Sequence, residues 1–336
     1  MKIAIIGGGA IGGLVAAYLK FRGEAVSLFV RPEYVEVIRK NGLTVNGTRG
    51  NINVPVDVSG SLQESFDLVI LTVKTQDCES TIKQNLKFLK NSTILTIQNG
   101  VQADHIIAEH IPREHIISSI VMFGATYVTP AHIVQNFEGP WVIGRLNGRQ
   151  DNTLKEVFLL MKKMFPMVLS DDVTAMKYLK IFLNANNCLP AVLGMSIQEA
   201  FADMEISRVA VTIWREGLEV FTRAGVKMAG LPDFPVERLV SLASMPLVES
   251  SRIMSEIMIN LSKEPLYGSI LQSIKRKRPS EIDYINGEYV RVARDKKLQA
   301  PLNEKLVEMV HLVERTGKFF SKHHLIAETK KFIKAP

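Results

Sequence analysis

The sequence predicts an α/β fold in which a doubly wound, mostly parallel sheet is followed by an all-helical domain. Three observations carry this. Apolar, strand-like runs alternate with helix-patterned segments through the first half, as strand–helix–strand units require. From about residue 170 the apolar spacing becomes helical throughout. The first strand also runs straight into a glycine-rich turn, Gly7-Gly8-Gly9-Ala10-Ile11-Gly12, of the form G-x-G-x-x-G.

Residues 2–6 form the first strand, and residues 14–20 continue the turn as a helix. Residues 25–30 read as the second strand and 32–40 as a short helix. Residues 43–45 and 52–56 form a small hairpin extension. Residues 66–73 are apolar and bounded by turns, as expected of a buried parallel strand. A helix over 77–89 and a strand over 92–97 follow, the latter ending at Gln98-Asn99-Gly100. The strand-like runs 116–121, 125–128, 133–134 and 141–143 are expected to close the first domain as antiparallel strands. Beyond them, 173–182, 205–224, 250–261, 281–296 and 303–314 carry helical spacing, punctuated by prolines from Pro190 to Pro301. The expected domains are 1–168 and 169–336, with a substrate cleft between them.

Composition narrows the class. The chain has 336 residues, 46% hydrophobic and 22% charged, as in an ordinary globular protein. Its formal charge of +7 is concentrated in Lys275-Arg276-Lys277-Arg278 and in the tail lysines, including Lys318, Lys322, Lys330, Lys331 and Lys334. No nucleic-acid module accompanies these runs, so no nucleic-acid partner is expected. The uncharged stretch 181–198 holds three asparagines, a glutamine and a proline, and is not a membrane span. Cys78 and Cys188 follow no metal-ligand spacing, so reduced thiols and no metal site are expected. With Met1 leading directly into a strand there is no room for a signal peptide, and a cytoplasmic location is expected.

The glycine turn points to a dinucleotide. Gly7 permits the tight turn, Gly9 lets the backbone approach a pyrophosphate, and Gly12 lets the helix sit close to the strand. Gly8, Ala10 and Ile11 complete the turn, where free N–H groups at the helix start face the negative charge. A carboxylate at the tip of the second strand would bind a ribose 2′-hydroxyl. Here that tip is Leu28-Phe29-Val30-Arg31, and Arg31 sits where a 2′-phosphate would lie, so NADP is favoured.

Lys74 and Asn99 each follow a parallel strand at its carboxyl end, where such a sheet presents residues to its ligand. On the residues alone Lys74 reads equally as a solvated loop lysine, and Asn99-Gly100 as a turn. Lys180, Asn184 and Cys188 recur every four residues and are expected to share one helix face. A partly desolvated lysine can protonate the alkoxide left by hydride reduction of a ketone, although Lys180 could also extend its amine to solvent. Ser280 or Pro279 is expected at a helix start, with Glu281 in the first turn.

Together these motifs resemble the ketopantoate reductase (2-dehydropantoate 2-reductase) family, from Gly7 to about Glu314. The markers are Gly7-x-Gly9-x-x-Gly12, Arg31, Thr72-Val73-Lys74, Gln98-Asn99-Gly100, Lys180-x-x-x-Asn184, and Ser269 twelve residues before Glu281-Ile282-Asp283-Tyr284-Ile285-Asn286-Gly287. The resemblance implies a Rossmann-type first domain and NADPH-dependent reduction of a 2-keto acid in pantothenate synthesis. Lys180 would be the general acid, and Asn184, Ser269, Glu281 and Asn99 would bind the small-molecule substrate. Asn99 with Lys74, and Glu281, would also contact the cofactor. Family members commonly carry a second asparagine four residues after the first, then a proline. Here either Cys188 replaces it or Asn187 supplies it through a one-residue shift, a departure that leaves a reductase of a different 2-keto acid as an alternative.

Two other readings share parts of this pattern. An opine or 3-hydroxy-acid dehydrogenase could share the first domain, but the Ser269 and Glu281 spacing argues against it. A non-catalytic NADPH sensor predicts lost catalytic groups, and Lys180 and Glu281 are both present. The amphipathic segment 205–224 would suit a homodimer interface as well as a core.

Overall fold

The computed structural model describes residues 1–333; the tail lysine Lys334 lies outside the described residues. The chain divides into two compact units, Met1–Thr174 and Ala175–Pro336. The expected division after residue 168 falls a few residues earlier.

The first unit opens with β1 (Ile3–Ile6), α1 (Ala10–Phe21), β2 (Val26–Phe29) and α2 (Pro32–Asn41). Then come β3 (Leu43–Gly47), β4 (Ile52–Val54), β5 (Asp57–Ser59), β6 (Leu68–Leu71), α3 (Thr75–Leu89), β7 (Thr93–Thr96) and α4 (Gln102–Ala108). It closes with β8 (Ile116–Val121), β9 (Gly124–Thr129), β10 (His132–Phe137), β11 (Trp141–Arg145), α5 (Asn152–Lys162) and β12 (Met167–Leu169). The main sheet runs β12-β11-β8-β7-β6-β1-β2-β5. Every residue of β1 and β6 is buried, which is why both read as unbroken apolar runs.

Two expectations for this unit need correction. Residues 116–121 pair parallel with β7 as β8, and the reversal of direction comes only at β11. Residues 124–137 leave the main sheet altogether. They form a second sheet, β4-β3-β10-β9, in which β10 runs parallel to β3 and the expected hairpin 43–56 supplies β3 and β4. The reason lies on α1, whose glycine face needs a cover. A Cβ on Gly13 would come within 2.7 Å of Ile133 Cδ1, and the Tyr18 hydroxyl donates to Gln135 Oε1 at 2.6 Å.

In the second unit come α6 (Val173–Ala185), which opens at the boundary, α7 (Cys188–Leu193), α8 (Ile197–Phe201) and α9 (Met204–Ala224). The remainder is α10 (Val236–Ser244), α11 (Leu247–Ile259), α12 (Ser269–Lys275), α13 (Asn286–Asp295), α14 (Pro301–Thr316) and α15 (Lys322–Thr329). An aromatic cluster fixes α6 against α9 and α13. Phe182 and Phe221 lie 5.5 Å apart, Phe221 and Tyr289 4.8 Å, and Phe182 and Tyr289 5.2 Å. Full burial of each ring contributes on the order of 1.5–3 kcal/mol, and Trp214 Nε1 adds a bond to the Phe182 carbonyl at 2.8 Å.

The helix expected over 281–296 is broken. Ile282–Tyr284 form a single 3₁₀ turn, and α13 starts only at Asn286. Ile285, at φ −114° and ψ −87°, breaks the helical path while Ile282 and Ile285 both stay fully buried. Among the described residues no helix is long and apolar enough to cross a membrane.

Candidate functional site

The four strand tips of the first unit end in one row. Ile6 is in register with Phe29 on one side and Leu71 on the other, and Leu71 with Thr96. At roughly 4.8 Å per strand the row spans about 15 Å. It places Gly7, Arg31, Lys74 and Asn99 beyond a single sheet edge. The chain runs outward from β1 to β2 and then returns to β1's other flank as β6. That reversal of order is where doubly wound sheets bind their ligands.

The glycine turn is closed on three positions and open on one. Gly7 has φ +115°, and a Cβ there would lie 2.7 Å from Thr72 Oγ1. A Cβ on Gly12 would lie 2.0 Å from the Gly7 carbonyl oxygen, and one on Gly8 2.4 Å from Val30 Cγ1. A Cβ on Gly9 meets nothing within 4 Å. Gly9 is also the N-cap of α1, with no side-chain cap and no acidic residue in the first turn. The helix's first N–H groups, beginning with those of Ala10 and Ile11, therefore border open space with no carboxylate competing for them. This fits a pyrophosphate.

Around the turn, Arg31 is exposed at the N-cap of α2, and the half-buried Lys74 is the N-cap of α3. Gln98, which the sequence singled out only as a neighbour of Asn99, is buried and ties two tips together. Its Nε2 donates to the carbonyls of Leu71 and Val73, both at 2.8 Å, and its Oε1 accepts the Ile97 N–H at 3.1 Å. Beneath Asn99, buried Asp104 accepts from the hydroxyls of Thr96 and Ser118 at 2.7 and 2.6 Å. Thr72, Gln98 and Asp104 were not legible as site residues, because their work is on backbone and strand ends. Only the recurrence of Thr72 and Gln98 in the marker triplets hinted at it.

In the second unit Lys180 keeps part of its surface exposed, yet burial of its ammonium pushes its pKa down to about 8, with no charged neighbour contributing. The expected single face of Lys180, Asn184 and Cys188 does not form. α6 stops at Ala185, and the Asn187 N–H bonds the Asn184 carbonyl at 3.0 Å, a three-residue turn. Such a turn sets Asn187 above Asn184 and rotates Cys188 away. Cys188 is fully buried, accepts from Asn286 Nδ2 at 3.7 Å, and has its thiol pKa pushed well up by burial. Asn187 is half-buried against the segment that leads into α12: a Cβ on Gly268 would lie 3.0 Å from its Cγ. Lys180, Asn184 and Asn187 thus follow the four-then-three spacing of one helical stripe, and its far end meets the backbone just before Ser269.

Ser269 is exposed as the first residue of α12. Glu281 is half-buried and serves as the N-cap of the 3₁₀ turn, rather than lying in a helix's first turn as expected. The preceding residue is anchored, since the Ser280 N–H donates to Glu314 Oε1 at 2.7 Å. His311 bonds Glu314 Oε2 at 3.0 Å and Asp283 Oδ1 at 2.9 Å.

Comparison with known proteins identifies the family. The family model described as ketopantoate reductase PanE/ApbA matches residues 3–148, and its C-terminal counterpart matches residues 172–314. A 2-dehydropantoate 2-reductase of Pyrococcus horikoshii is 28% identical over 94% of this chain and 99% of its own. One of Archaeoglobus fulgidus is 24% identical over 93% and 98%. Among solved structures, a PanE/ApbA family ketopantoate reductase from Ralstonia eutropha superposes with a TM-score of 0.78 at 24% identity, covering 94% of this chain and 99% of that one. A D-mandelate dehydrogenase solved with NADH and anilino(oxo)acetate gives 0.79 at 23% identity with the same coverage. At these identities the two structures speak for the fold.

Proposed function

The chain belongs to the ketopantoate reductase family, a family of oxidoreductases, and on that premise we propose that it reduces 2-dehydropantoate to pantoate with NADPH, a step of pantothenate synthesis. When bound, NADPH would supply the hydride for the 2-keto carbon. The open turn at Gly9 receives the pyrophosphate, and Arg31 receives the 2′-phosphate as a planar, permanently charged fork. Lys74 and Asn99, at the same sheet edge, contact the cofactor nearer its reacting end.

Lys180 donates a proton to the alkoxide oxygen as it forms, turning the carbonyl into a hydroxyl. The observation that carries this reading is its pKa of about 8 on a stripe shared with two amides. An ammonium so poised is charged at neutral pH and gives up its proton readily. Asn184 and Asn187 offer paired donors and acceptors to the substrate's oxygens. Ser269 adds a hydroxyl, and the Glu281 carboxylate accepts a hydrogen bond from the substrate's hydroxyl end.

The test is NADPH oxidation measured with 2-dehydropantoate and a panel of other 2-keto acids, with NADH as the control. Preferred turnover of 2-dehydropantoate with NADPH is expected. No turnover of any 2-keto acid with either nucleotide overturns the reading.

A further inference from the structure

His311 lies outside every motif above, yet it is the centre of the cluster behind Glu281. Both of its ring nitrogens face carboxylate oxygens, Nδ1 toward Glu314 at 3.0 Å and Nε2 toward Asp283 at 2.9 Å. A neutral imidazole has one N–H and one lone pair, so it would set that lone pair against a carboxylate. Only the imidazolium satisfies both partners, through two charge-assisted bonds. The other oxygen of Glu314 holds the Ser280 N–H, and Asp283 sits within the 3₁₀ turn that Glu281 caps. The cluster therefore grips the chain on both sides of Glu281.

We propose that His311 is a positioning residue whose imidazolium, clamped between Asp283 and Glu314, holds the Ser280–Asp283 segment so that Glu281 meets the substrate's hydroxyl end. This rests on the substrate-binding role given to Glu281 above. The other elements packed against α14 leave the clamp to itself. Glu216 of α9 caps the far end of the helix at Leu302 and Asn303, Glu288 of α13 pairs with Arg291, and α7 offers only the buried Cys188. On α14 itself, Glu308 and Arg315 lie a turn to either side and are exposed.

Burial pulls the His311 pKa down, but the bonds to Glu314 and Asp283 outweigh it and leave it above 6.5. A histidine raised in this way contributes its stabilisation fully below its unfolded pKa and loses it as pH rises through the folded one. Substrate affinity should therefore weaken on the alkaline side. Lys180, with its pKa of about 8, also loses its proton on the alkaline side, but that loss should lower kcat, whereas loss of the clamp should act on KM.

The decisive experiment is steady-state kinetics of 2-dehydropantoate reduction from about pH 6 to about pH 10, on wild type and His311→Gln. It is accompanied by amide hydrogen exchange at Ser280. In the wild type KM should rise about tenfold over the alkaline limb, in line with the loss of one charge-assisted bond. His311→Gln should show that raised KM at every pH, retain kcat and its alkaline fall, and exchange the Ser280 amide faster. A wild-type KM profile that survives in His311→Gln, or an unchanged Ser280 exchange rate, overturns the proposal. If His311→Gln does not fold, Asp283→Asn is judged by the same criteria. The exchange measurement needs no substrate, so a wild type that reduces no 2-keto acid defeats the functional reading while the clamp is still decided.

Discussion

The Thr72 hydroxyl donates to the carbonyl oxygen of Gly7 at 2.6 Å, so the strand beside the glycine turn holds the turn's first residue in place. That bond and the close approach of Gly12 leave no room for a side chain on the closed positions, while Gly9 stays open. Gly12→Ala should therefore cost about 1–3 kcal/mol of stability or more, read as a fall in Tm of the cofactor-free protein. Gly9→Ala should leave that Tm unchanged and weaken NADPH binding at least about tenfold, since its methyl fills only the ligand's space. Equal Tm losses in the two variants would contradict the division.

The role proposed for Arg31 is to select the nucleotide. Removing a fork that bonds a phosphate costs about 1.5–3 kcal/mol, or on the order of ten- to hundredfold in affinity. Arg31→Ala should raise KM for NADPH by that factor and leave KM for NADH nearly unchanged. An unaltered ratio of the two would remove Arg31 from the cofactor site.

Lys180→Gln should cut kcat by about 10²- to 10⁴-fold while NADPH binding, followed by fluorescence titration, stays close to wild type. In the wild type kcat should fall as pH rises through about 8. The stability effect has the opposite sense to catalysis. Lys180 binds its proton less tightly folded than unfolded, so its penalty is present below about pH 8 and is relieved as pH rises toward the unfolded value. Lys180→Gln should accordingly melt higher than wild type at neutral pH, and a lower Tm there would contradict the desolvation.

On the proposed assignment, the three-residue turn at Asn184–Asn187 gives two neighbouring side chains different roles. Asn187→Ala should raise KM for the 2-keto acid about tenfold, the cost of a lost amide contact, with little change in Tm. Cys188→Ser should do the reverse, lowering Tm through a hydroxyl buried in the core and leaving KM alone. If Cys188→Ser raises KM and Asn187→Ala does not, the stripe has been assigned to the wrong residue.

The parallel core was legible in the sequence because β1 and β6 are buried apolar runs bounded by turns, and a one-dimensional pattern records burial on both faces. β5 and β12, three residues each, are too short to carry a period. The departure of β9 and β10 was hidden for another reason: an antiparallel hairpin looks the same whichever sheet it joins, and only the cover needed by Gly13 decides. At the proposed site, residue types and spacing singled out Lys180, Asn184 and Glu281. They misplaced Cys188 because a single 3₁₀ turn changes the periodicity by less than one residue. His311 escaped because its second partner, Asp283, lies on a separate segment, and its pair with Glu314 on its own helix reads as an ordinary surface contact without it.

The second sheet also dictates an order of events during folding. Its central pairing, Val45 with Ile133, joins strands separated by about half of the first unit. Contacts of such long sequence separation pay their loop-closure entropy before they are rewarded, and form late. On a ribosome, α1 would emerge early with its glycine face uncovered, and would wait for β10 to be synthesised before Ile133 and Gln135 could reach it. Nascent chains arrested before Phe137 should leave α1 open to protease, and chains arrested well beyond it should not. Competence to hold a nucleotide would then be acquired in one step, when β10 is made, although the motif that confers it is synthesised well before.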